Sequence, residues 1–493
     1  MTHGFVLDDK GRKMSKSLGN VTYPRDLLAG RAAGKPVTKP QAKQQKQQQQ
    51  QQQQPAGPSS VGVDVLRWWA ASCDFTTDCS VGPTAIQTAA EHVRKLRNTL
   101  RFILGALHGY SGAPRDGTFD DKSAALLAAW SAPPPAILRG AELDKLTLLD
   151  RAMLQRLAAF HADVRESYRS LVSHDFSSYV APLPLRRGSL QSFVRVVQRV
   201  NAFVSVDLSA HYLDACKDRL YSGLPTTSVC NEPDETWQSL AADRAACLAI
   251  LREVLRVLVR AAAPILPFLV EDVFQYSAAA LIPGQQSDAS TFAAPQATLF
   301  DVAFDASAPP EWASASTAAD WAVLVAIQAE ANRALEEARA AQLIGSALEA
   351  RIIITVRAGC GGHAARVLVT EATRLPFGIS RSDEDSNRRH STSDKGALEA
   401  VFGVSAVEVV VPPPGGEVVH EASLPEAQPK FRFLRDFVVD AAGGAEQVSI
   451  EILPATGAKC SRCWKISPPV ETHPARVCVR CDAALTALGA WGQ

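Results

Sequence analysis

Four cysteines near the carboxyl terminus have the spacing of a metal site. Cys460 and Cys463 are followed, after fourteen intervening residues, by Cys478 and Cys481. Two residues between thiolates let one tight turn aim both sulfurs at a single ion, and the connecting segment brings back the second pair. Because protein sulfurs fill all four positions and leave none for a catalytic water, the spacing predicts one structural Zn²⁺.

The segment around these cysteines, which we call the zinc knuckle, is basic and carries one aromatic residue. Trp464 directly follows the first cysteine pair. The basic residues are Lys459, Arg462, Lys465, Arg476 and Arg480. A small rigid basic module with an exposed aromatic side chain suits nucleic acid. The alternative is that Trp464 packs beneath the metal and that the charges are only solvated.

A second segment capable of chemistry lies near the amino terminus. This lysine loop has the sequence Lys13-Met14-Ser15-Lys16-Ser17-Leu18-Gly19-Asn20. It offers two ammonium groups, two hydroxyls and a glycine hinge, which together could fold over a polyphosphate. Lysine suits that task because it is a compact charge on a flexible stem and can follow charge that develops on a leaving phosphate. Chemistry alone leaves open the simpler alternative of a solvated polar turn.

Length and composition limit what can position these two segments. The 493 residues exceed what one hydrophobic core usually supports, so about three domains are expected. The 51 basic and 51 acidic residues balance, so any contact with a polyanion must come from local patches. The other cysteines form no disulfide-like framework, which suits a reducing compartment: Cys73, Cys79, Cys216, Cys230, Cys247 and Cys360. No segment approaches the ~20 apolar residues of a membrane span, so no membrane contact is expected.

Helical periodicity dominates the region between the two segments. From Glu91, apolar residues recur at helical spacing and predict an amphipathic helix. The basic residues beside this stripe are Arg94, Lys95, Arg97 and Arg101. They could offer guanidinium groups to phosphates while the helix packs on a bundle, although a solvated face explains them equally well. Further helical stretches at 149–171, 193–221 and 241–259 complete the predicted bundle.

Short strands are predicted at both ends of the chain. A strand over 4–7 precedes the lysine loop, and the carboxyl-terminal part alternates a helix over 321–343 with strands over 350–356, 406–411 and 448–452. Prolines over 180–191 indicate an extra loop in the bundle, and charges over 381–395 indicate a mobile loop. Cys360 and His363 lie among glycines, but two ligands are too few for a metal site.

The lysine loop and its flanks resemble the signature loop of class I aminoacyl-tRNA synthetases. Thr2-His3-Gly4-Phe5 and the segment 64–72, completed by Val81-Gly82-Pro83, are similar to the isoleucine, valine and leucine enzymes. Segments 206–209, 217–221 and 263–268 resemble the anticodon-binding domain of the same family. Segment 332–339 and the order Lys459-Cys460-Ser461-Arg462-Cys463-Trp464 resemble isoleucyl-tRNA synthetases of the bacterial and mitochondrial type.

This resemblance implies an isoleucine–tRNA ligase, which uses ATP with Mg²⁺ to activate isoleucine and passes it to the 3′ end of its tRNA. It implies that Lys16 neutralises the departing pyrophosphate with the help of Lys13. Ser15 and Ser17 would bind the phosphates by hydrogen bonds. Residues expected to contact isoleucine tRNA are Arg94, Arg97, Arg101, Arg462, Trp464 and Lys465. The expected partners are isoleucine, ATP and isoleucine tRNA, and the expected state is a monomer.

The resemblance also implies a multidomain, mainly α fold. A remnant of a class I Rossmann-like catalytic domain would precede a helical anticodon-binding bundle, a small α/β junction domain and a carboxyl-terminal zinc knuckle. The expected boundaries are 1–31 for the remnant with the lysine loop, 32–60 for a disordered glutamine-rich insert, 61–281 for the bundle, 282–317 and 416–446 for linkers, 318–415 for the junction domain and 447–493 for the zinc-binding, tRNA-contacting domain.

The chain begins close to its lysine loop. Twelve residues precede Lys13, so neither the His-x-Gly-His signature nor the editing domain of the family is expected, and a carboxyl-terminal fragment of this kind is expected to be inactive alone. The bacterial-type knuckle and the glutamine run suggest a nuclear-encoded enzyme of the mitochondrial matrix, with the cytoplasm as the alternative. The rival function is a non-catalytic zinc-ribbon protein that binds tRNA or another nucleic acid. The lysine loop and the bundle favour the synthetase.

Overall fold

The computed structural model describes most of the chain, and helices dominate it. The described residues are 3–28, 61–108, 122–172, 192–222, 235–281, 297–302, 308–357, 362–373, 389–391, 397–411, 431–441 and 444–487. The predictions for the glutamine-rich insert 32–60, the loop 180–191, Cys230, Cys360 and most of the loop 381–395 lie outside these residues.

A two-stranded parallel sheet carries the lysine loop. Strand β1 (Val6–Leu7) pairs with β2 (Cys79–Ser80), so the strand predicted at 4–7 finds its partner far along the chain. Helices α1 (Pro24–Leu28) and α2 (Val63–Ser72) lie between the two strands in sequence. The lysine loop is therefore anchored to the residues that lead into the helical bundle.

Two close contacts fix the path of the chain around this small sheet. A Cβ at Gly4 would lie 2.1 Å from the carbonyl oxygen of Thr77, so only glycine allows the two segments to approach this closely. The N–H of Val61 donates a hydrogen bond to the carbonyl oxygen of Leu27 at 3.4 Å. The chain thus leaves α1 and returns ahead of α2 at the same point.

Helices fill the described part of 61–281, as the periodicity predicts. They continue as α3 (Pro83–Leu107), α4 (Lys122–Ser131), α5 (Leu148–Val172), α6 (Ser192–Ala202), a π-helical segment (Phe203–Leu213), α7 (Asp214–Ser222), α8 (Glu235–Ala262), α9 (Pro267–Tyr276) and α10 (Ala278–Leu281). Helix α3 begins earlier than Glu91 because Pro83 suits the first helical turn, where its missing N–H has no partner to lose. Its apolar stripe is buried in the core.

A buried ion-pair network joins α5, α7 and α8. The guanidinium of Arg219 donates to both carboxylate oxygens of Asp150, at 2.8 and 2.9 Å, and lies 3.0 Å from the carboxylate of Asp243. The hydroxyl of Tyr212 donates to Asp150 at 2.9 Å. These side chains lie inside the bundle, so each charge relies on the others in place of water.

A mixed sheet follows the bundle. After α11 (Ala315–Ala340), the elements are β3 (Ala350–Val356), α12 (His363–Thr373), β4 (Arg389–Ser391), α13 (Ala397–Phe402), β5 (Ala406–Val410), β6 (Phe433–Ala441) and β7 (Gly444–Pro454). The strand order is β4-β5-β3-β7-β6, with β3 parallel to β5 and antiparallel to β7. One apolar core runs from the bundle into this sheet.

The structure corrects three predicted boundaries around this sheet. The segment 416–446 is not only a linker, because β6 lies within it and β7 begins in it. Strand β7 pairs with β3 over its length from Val448 to Pro454, so the unit that contains the sheet extends past 447. Strand β6 escaped prediction because the exposed face of this edge strand mixes Leu434 and Val438 with Asp436 and Asp440, so the sequence lacks a clear alternation of apolar and polar residues. Upstream, α11 begins at Ala315 rather than after 317, with Ser314 accepting a hydrogen bond from the N–H of Thr317 as its cap.

The zinc knuckle is a small unit with a core of its own. A hairpin of β8 (Ala458–Lys459) and β9 (Ile466–Ser467) is followed by α14 (Pro469–Thr472) and α15 (Val479–Ala487). Gly457 has a φ of +103°, and a Cβ there would lie 2.3 Å from the backbone of Ser467. Across the described ranges, no helix has the length and apolar character needed to span a membrane.

Candidate functional site

The four predicted cysteine ligands converge at the knuckle. Their sulfurs all lie within 4.8 Å of one another, and those of Cys463 and Cys478 are 3.7 Å apart. Ligands 2.3 Å from a tetrahedral Zn²⁺ would be separated by about 3.8 Å, so the observed spacing fits that ion. The turn is held by the N–H of Cys460, which donates to the carbonyl oxygen of Lys465 at 2.8 Å. Among the described residues, no other group of three or more ligands converges in this way.

The electrostatics of the cluster also favour a cation. Hydrogen bonds from Cys478 and Cys481 lower the pKa of the Cys463 thiol. Hydrogen bonds with Cys463 and Cys481 raise the pKa of Cys478, and the bond with Cys463 raises the pKa of Cys481 to about 11. Four sulfurs this close cannot all ionise without a positive charge between them. The donor set therefore fits a divalent metal such as Zn²⁺, which holds thiolates.

Basic residues of the knuckle fasten it to α7 of the bundle. The carboxylate of Asp218 lies 2.8 Å from Lys465 Nζ and 3.1 Å from Arg480 Nη2. Burial opposes ionisation of Asp218, but the two cations outweigh it and lower its pKa. The guanidinium of Arg462 donates to the carbonyl oxygen of Tyr221 at 2.8 Å. Lys465 and Arg462, both predicted to contact tRNA, are thus engaged within the chain.

Trp464 points away from the metal ligands. Its side chain is 62% exposed, and its φ of +66° turns the chain immediately after the first cysteine pair. The ammonium of Lys459 lies 5.5 Å from the ring centroid, in a cation–π arrangement. The alternative that Trp464 packs beneath the metal is wrong. Its ring is available to stack on a planar group such as a nucleobase.

A basic groove leads from α3 to the knuckle. One hollow of about 590 Å³ is lined by Arg94 and Lys95 together with Glu91, and a second of about 540 Å³ is lined by Arg101, Arg244 and Tyr221. The two share Asn98 and Phe102 as lining residues, so they adjoin. The second is also lined by Tyr221, whose carbonyl oxygen accepts the hydrogen bond from the knuckle. The predicted residue Arg97 is exposed on α3 but lines neither hollow.

Some residues of this groove could not be predicted from the helical periodicity of the sequence. Arg244 lies on α8, and Lys95 is held in place by a 2.7 Å hydrogen bond to the hydroxyl of Ser205 in the π-helical segment. Only tertiary packing brings these residues beside α3. The one available signal for Lys95 was its place among the basic residues flanking the apolar stripe.

The lysine loop is closed at its base by Asp8 and Asn20. The amide of Asn20 donates to the Asp8 carboxylate at 3.0 Å and to the Lys13 carbonyl at 3.2 Å, and its oxygen accepts from the N–H of Ser15 at 2.9 Å. The hydrogen bond from Asn20 and that from the Arg12 backbone hold the pKa of Asp8 below its usual range. An ionised Asp8 therefore acts as the fixed point from which the loop projects.

The tip of the loop presents its cations to solvent. Lys16 is exposed, and no described residue forms a hydrogen bond or ion pair with its ammonium group. The ammonium of Lys13 lies 4.6 Å from the ring centroid of Phe5, while the hydroxyls of Ser15 and Ser17 are 3.1 Å apart. Gly19 has a φ of +65°, a conformation that favours glycine at the hinge. The loop therefore has a defined conformation at its base and carries the exposed ammonium group of Lys16 at its tip.

His363 is satisfied without a metal. Its Nε2 lies 2.6 Å from a carboxylate oxygen of Asp320, and its side chain is buried at the start of α12. This pairing gives the histidine a structural role, while its predicted neighbour Cys360 lies outside the described residues.

Comparison with known proteins relates two parts of the chain to tRNA synthetases. The family described as tRNA synthetases class I (I, L, M and V) matches residues 1–82, and the anticodon-binding domain of tRNA ligase matches residues 190–354. Isoleucine–tRNA ligase of Thermosynechococcus vestitus is 31% identical over 98% of this chain and 38% of its own length, and that of Gloeobacter violaceus is 31% identical over 98% and 35%. That of Acaryochloris marina is 29% identical over 100% and 38%.

The chain spans little more than a third of the length of these curated relatives. A solved ternary complex of Agrobacterium radiobacter K84 agnB2 LeuRS, tRNA and LeuAMS matches 83% of this chain and 32% of that chain, at 12% identity and a TM-score of 0.31. The chain is therefore homologous over nearly its whole length to isoleucine–tRNA ligases and belongs with them among the class I tRNA synthetases.

Proposed function

We propose that the chain is the lysine-loop and tRNA-binding part of an isoleucine–tRNA ligase, which joins isoleucine to its tRNA with the use of ATP. The observation that carries this proposal is the pair of adjoining hollows along α3, the second of which is lined by Tyr221, the residue that the knuckle contacts, in a chain that aligns throughout with such ligases. The rival function is a non-catalytic zinc-ribbon protein that binds nucleic acid. The ordered closure of the lysine loop favours the ligase, because a binding protein needs no such loop.

The zinc knuckle has a positioning role in this proposal. One structural Zn²⁺ held by Cys460, Cys463, Cys478 and Cys481 would fix the turn that presents Trp464. The ion pairs with Asp218 would then orient that ring toward the end of the groove. Phosphates of isoleucine tRNA would lie along the groove, and an unstacked base would meet Trp464. In this arrangement, the groove would supply affinity for the phosphates of tRNA, and the knuckle would supply the preference for a particular base.

The lysine loop would act on ATP, bound as its Mg²⁺ complex. Lys16 would approach the pyrophosphate as negative charge develops there, and Lys13, Ser15 and Ser17 would donate further hydrogen bonds. The fixed base of the loop at Asp8 and the hinge at Gly19 would let the tip move while its root stays in place. Isoleucine would be bound elsewhere in the ligase, and a monomer would suffice for this arrangement.

Removal of the Lys16 charge tests the catalytic part of the proposal. In isoleucine-dependent exchange of pyrophosphate into ATP, measured on the chain combined with the amino-terminal part of an isoleucine–tRNA ligase, Lys16→Ala is expected to lower the rate ~10²–10³-fold. Lys10→Ala is the matched control, since Lys10 is an exposed lysine just outside the loop. Exchange that survives Lys16→Ala at the control rate would contradict the role of the loop.

Titration with two tRNAs tests the binding part. Arg101→Ala is expected to weaken isoleucine tRNA and an unrelated tRNA alike and to reduce the salt dependence of log K by about one unit of slope. Trp464→Ala is expected to weaken isoleucine tRNA more, by ~1–3 kcal/mol, because stacking is lost. Arg333→Ala, an exposed arginine on α11, serves as the control. Equal affinity of the unsubstituted chain for both tRNAs would leave only a non-specific polyanion binder.

We also propose a role for each domain and a cellular compartment for the protein. The bundle would serve as the anticodon-binding domain, the sheet with α11 as the junction, and the knuckle as the last tRNA contact. The bacterial-type knuckle supports a mitochondrial matrix enzyme, with the cytoplasm as the alternative. Imaging of the complete product with a carboxyl-terminal tag would separate these two compartments.

A further inference from the structure

A third hollow lies where the helical bundle meets the unit that contains the mixed sheet. Its volume is about 410 Å³, and it is lined by the first turn of α5, the first two turns of α11 and one face of α12. It shares no lining residue with the two hollows along α3. Clefts between packed units are common sites for small ligands. This hollow is therefore a separate candidate site.

Arg151 brings unused hydrogen-bond donors to this hollow. Its side chain is only 21% exposed, and its guanidinium lies 3.6 Å from a carboxylate oxygen of Glu371, beyond hydrogen-bond length. Its Nε atom is buried and has no hydrogen-bond partner in the part of the chain that the structure describes. Largely buried guanidinium groups rarely leave their donors unused, so water or a bound solute has to supply the acceptors.

The two acids of the hollow already serve the protein. Glu371 is buried, and one of its carboxylate oxygens accepts a hydrogen bond from the N–H of Leu148 at 3.0 Å, which caps α5. Its ion pair with Arg151 holds that guanidinium in place. The carboxylate of Asp320 lies 2.6 Å from Nε2 of His363. Since both acids are engaged, the unused hydrogen-bonding capacity of the hollow belongs to donors.

Arg366 adds a second guanidinium on the side that opens to solvent. Its side chain is exposed, and no described residue forms a hydrogen bond or ion pair with it. Thr370 lies one turn further along the same face of α12 and offers a hydroxyl group. Helices α5 and α11 both begin at this hollow, so the positive ends of their dipoles add to the field of the two arginines. Together these groups favour a bound anion.

We propose that this hollow binds a small phosphomonoester, held by Arg151 and Arg366. This inference does not rest on the proposed function of the chain. Each guanidinium presents a planar fork of N–H donors that matches the oxygens of a phosphate group. A terminal phosphate has three free oxygens, so it accepts from both arginines and from the Thr370 hydroxyl at once. A phosphodiester of RNA has fewer free oxygens and continues as a strand on both sides, which three enclosing helices obstruct.

The bound phosphate links the bundle to the sheet. Arg151 belongs to α5 of the bundle, and Arg366 belongs to α12, which packs against β5. The hydrogen bond between Leu148 and Glu371 already joins these two helices. A phosphate held by both arginines adds charge-assisted hydrogen bonds to that connection. Because the ligand binds only the folded arrangement, the amides of α12 open less often when the site is filled.

Hydrogen exchange of the full zinc-loaded chain over 364–373, with glycerol 3-phosphate as the probe, tests the proposal. Exchange is expected to slow as the probe is added, and the midpoint of that change measures the affinity of this hollow. Arg366→Ala is expected to raise the midpoint about 10–100-fold, because charge-assisted hydrogen bonds are lost. This variant should fold normally, since Arg366 is exposed.

Two further variants define the role of the guanidinium groups. Arg151→Lys keeps a positive charge beside Glu371 but loses the planar fork, so it is also expected to raise the midpoint. Arg333→Ala removes an exposed arginine of α11 that lies outside the hollow, and it is expected to leave the midpoint unchanged. Glycerol alone, and sodium chloride at the same ionic strength, are expected to leave exchange over 364–373 unchanged.

Each of three outcomes would overturn the proposal. A midpoint that Arg366→Ala does not change would place the phosphate elsewhere on the chain. Equal slowing by sodium chloride would show a general effect of ionic strength. A single-stranded RNA oligonucleotide at the same phosphate concentration is expected to slow exchange less than glycerol 3-phosphate does. Stronger slowing by the RNA would assign the hollow to the backbone of a nucleic acid instead.

Discussion

Replacing Arg219 with methionine is expected to lower the melting temperature of the helical bundle by roughly 10 °C, because two buried carboxylates lose their cation. Arg219 holds Asp150 through two hydrogen bonds and pairs with Asp243. Removing one partner of a buried ion pair costs about 3–5 kcal/mol. The measurement is thermal unfolding followed by circular dichroism. Lys217→Met on the same helix is the control, since Lys217 is exposed and should change the melting temperature little.

The loss of stability caused by Arg219→Met should increase with pH. Burial raises the pKa of Asp243 to about 6, although Arg219 opposes the shift. Because this folded-state value lies above that of an unfolded aspartate, proton binding by Asp243 stabilises the fold at low pH, and that contribution is lost as pH rises through about 6. The destabilisation by Arg219→Met should therefore be greater at pH 7.5 than at pH 4.5. An equal loss at both values would mean that Asp243 does not depend on this guanidinium.

Loss of one zinc ligand is expected to unfold the knuckle. Cys460→Ser should reduce bound zinc from about one ion per chain to nearly none, because structural zinc supplies roughly 10–16 kcal/mol of folding free energy in small zinc modules. The knuckle core is small and is built largely from the ligands themselves, so little else can hold it. Metal analysis and hydrogen exchange over 455–487 are the measurements. A knuckle that stays folded without metal would contradict the assignment.

Two control variants separate ligand loss from other effects. Cys73→Ser removes a thiol outside the cluster and should keep the zinc. Asp218→Asn removes the carboxylate that pairs with Lys465 and Arg480, so the knuckle should keep its metal but detach from α7. Faster exchange at the interface with unchanged zinc content would mark that detachment. Loss of zinc in Asp218→Asn would instead mean that docking is needed for metal binding.

The cysteine cluster and the lysine loop could be predicted because each is encoded over short distances. Two residues between cysteines define the geometry of each half of the cluster, and the loop needs only eight consecutive residues. The helices of the bundle could be predicted for a similar reason. Each buries one face, so its apolar residues recur at helical spacing in the sequence. Where a helix began earlier than predicted, as at Pro83 and Ala315, its start depended on a proline in the first turn or on a capping side chain.

What escaped prediction depends on contacts between distant segments. The use of Arg462 and Lys465 to dock the knuckle requires α7, which lies more than two hundred residues earlier in the chain. The groove requires Arg244 from a different helix, and the pairing of β7 with β3 joins segments on either side of a predicted boundary. A charge in a sequence shows that a residue is polar, but its partner is set only by packing.

The hydrogen bond between Val61 and Leu27 gives the chain a permissive insertion point. It brings the two ends of the stretch 29–60 together, so that stretch closes a loop between fixed neighbours. The entropy of closing a loop grows only with the logarithm of its length, at about 0.6 kcal/mol for each doubling. Expansion or contraction of the glutamine repeat is therefore expected to be close to neutral for the stability of the fold. The same position would accept an inserted reporter domain without displacing its neighbours.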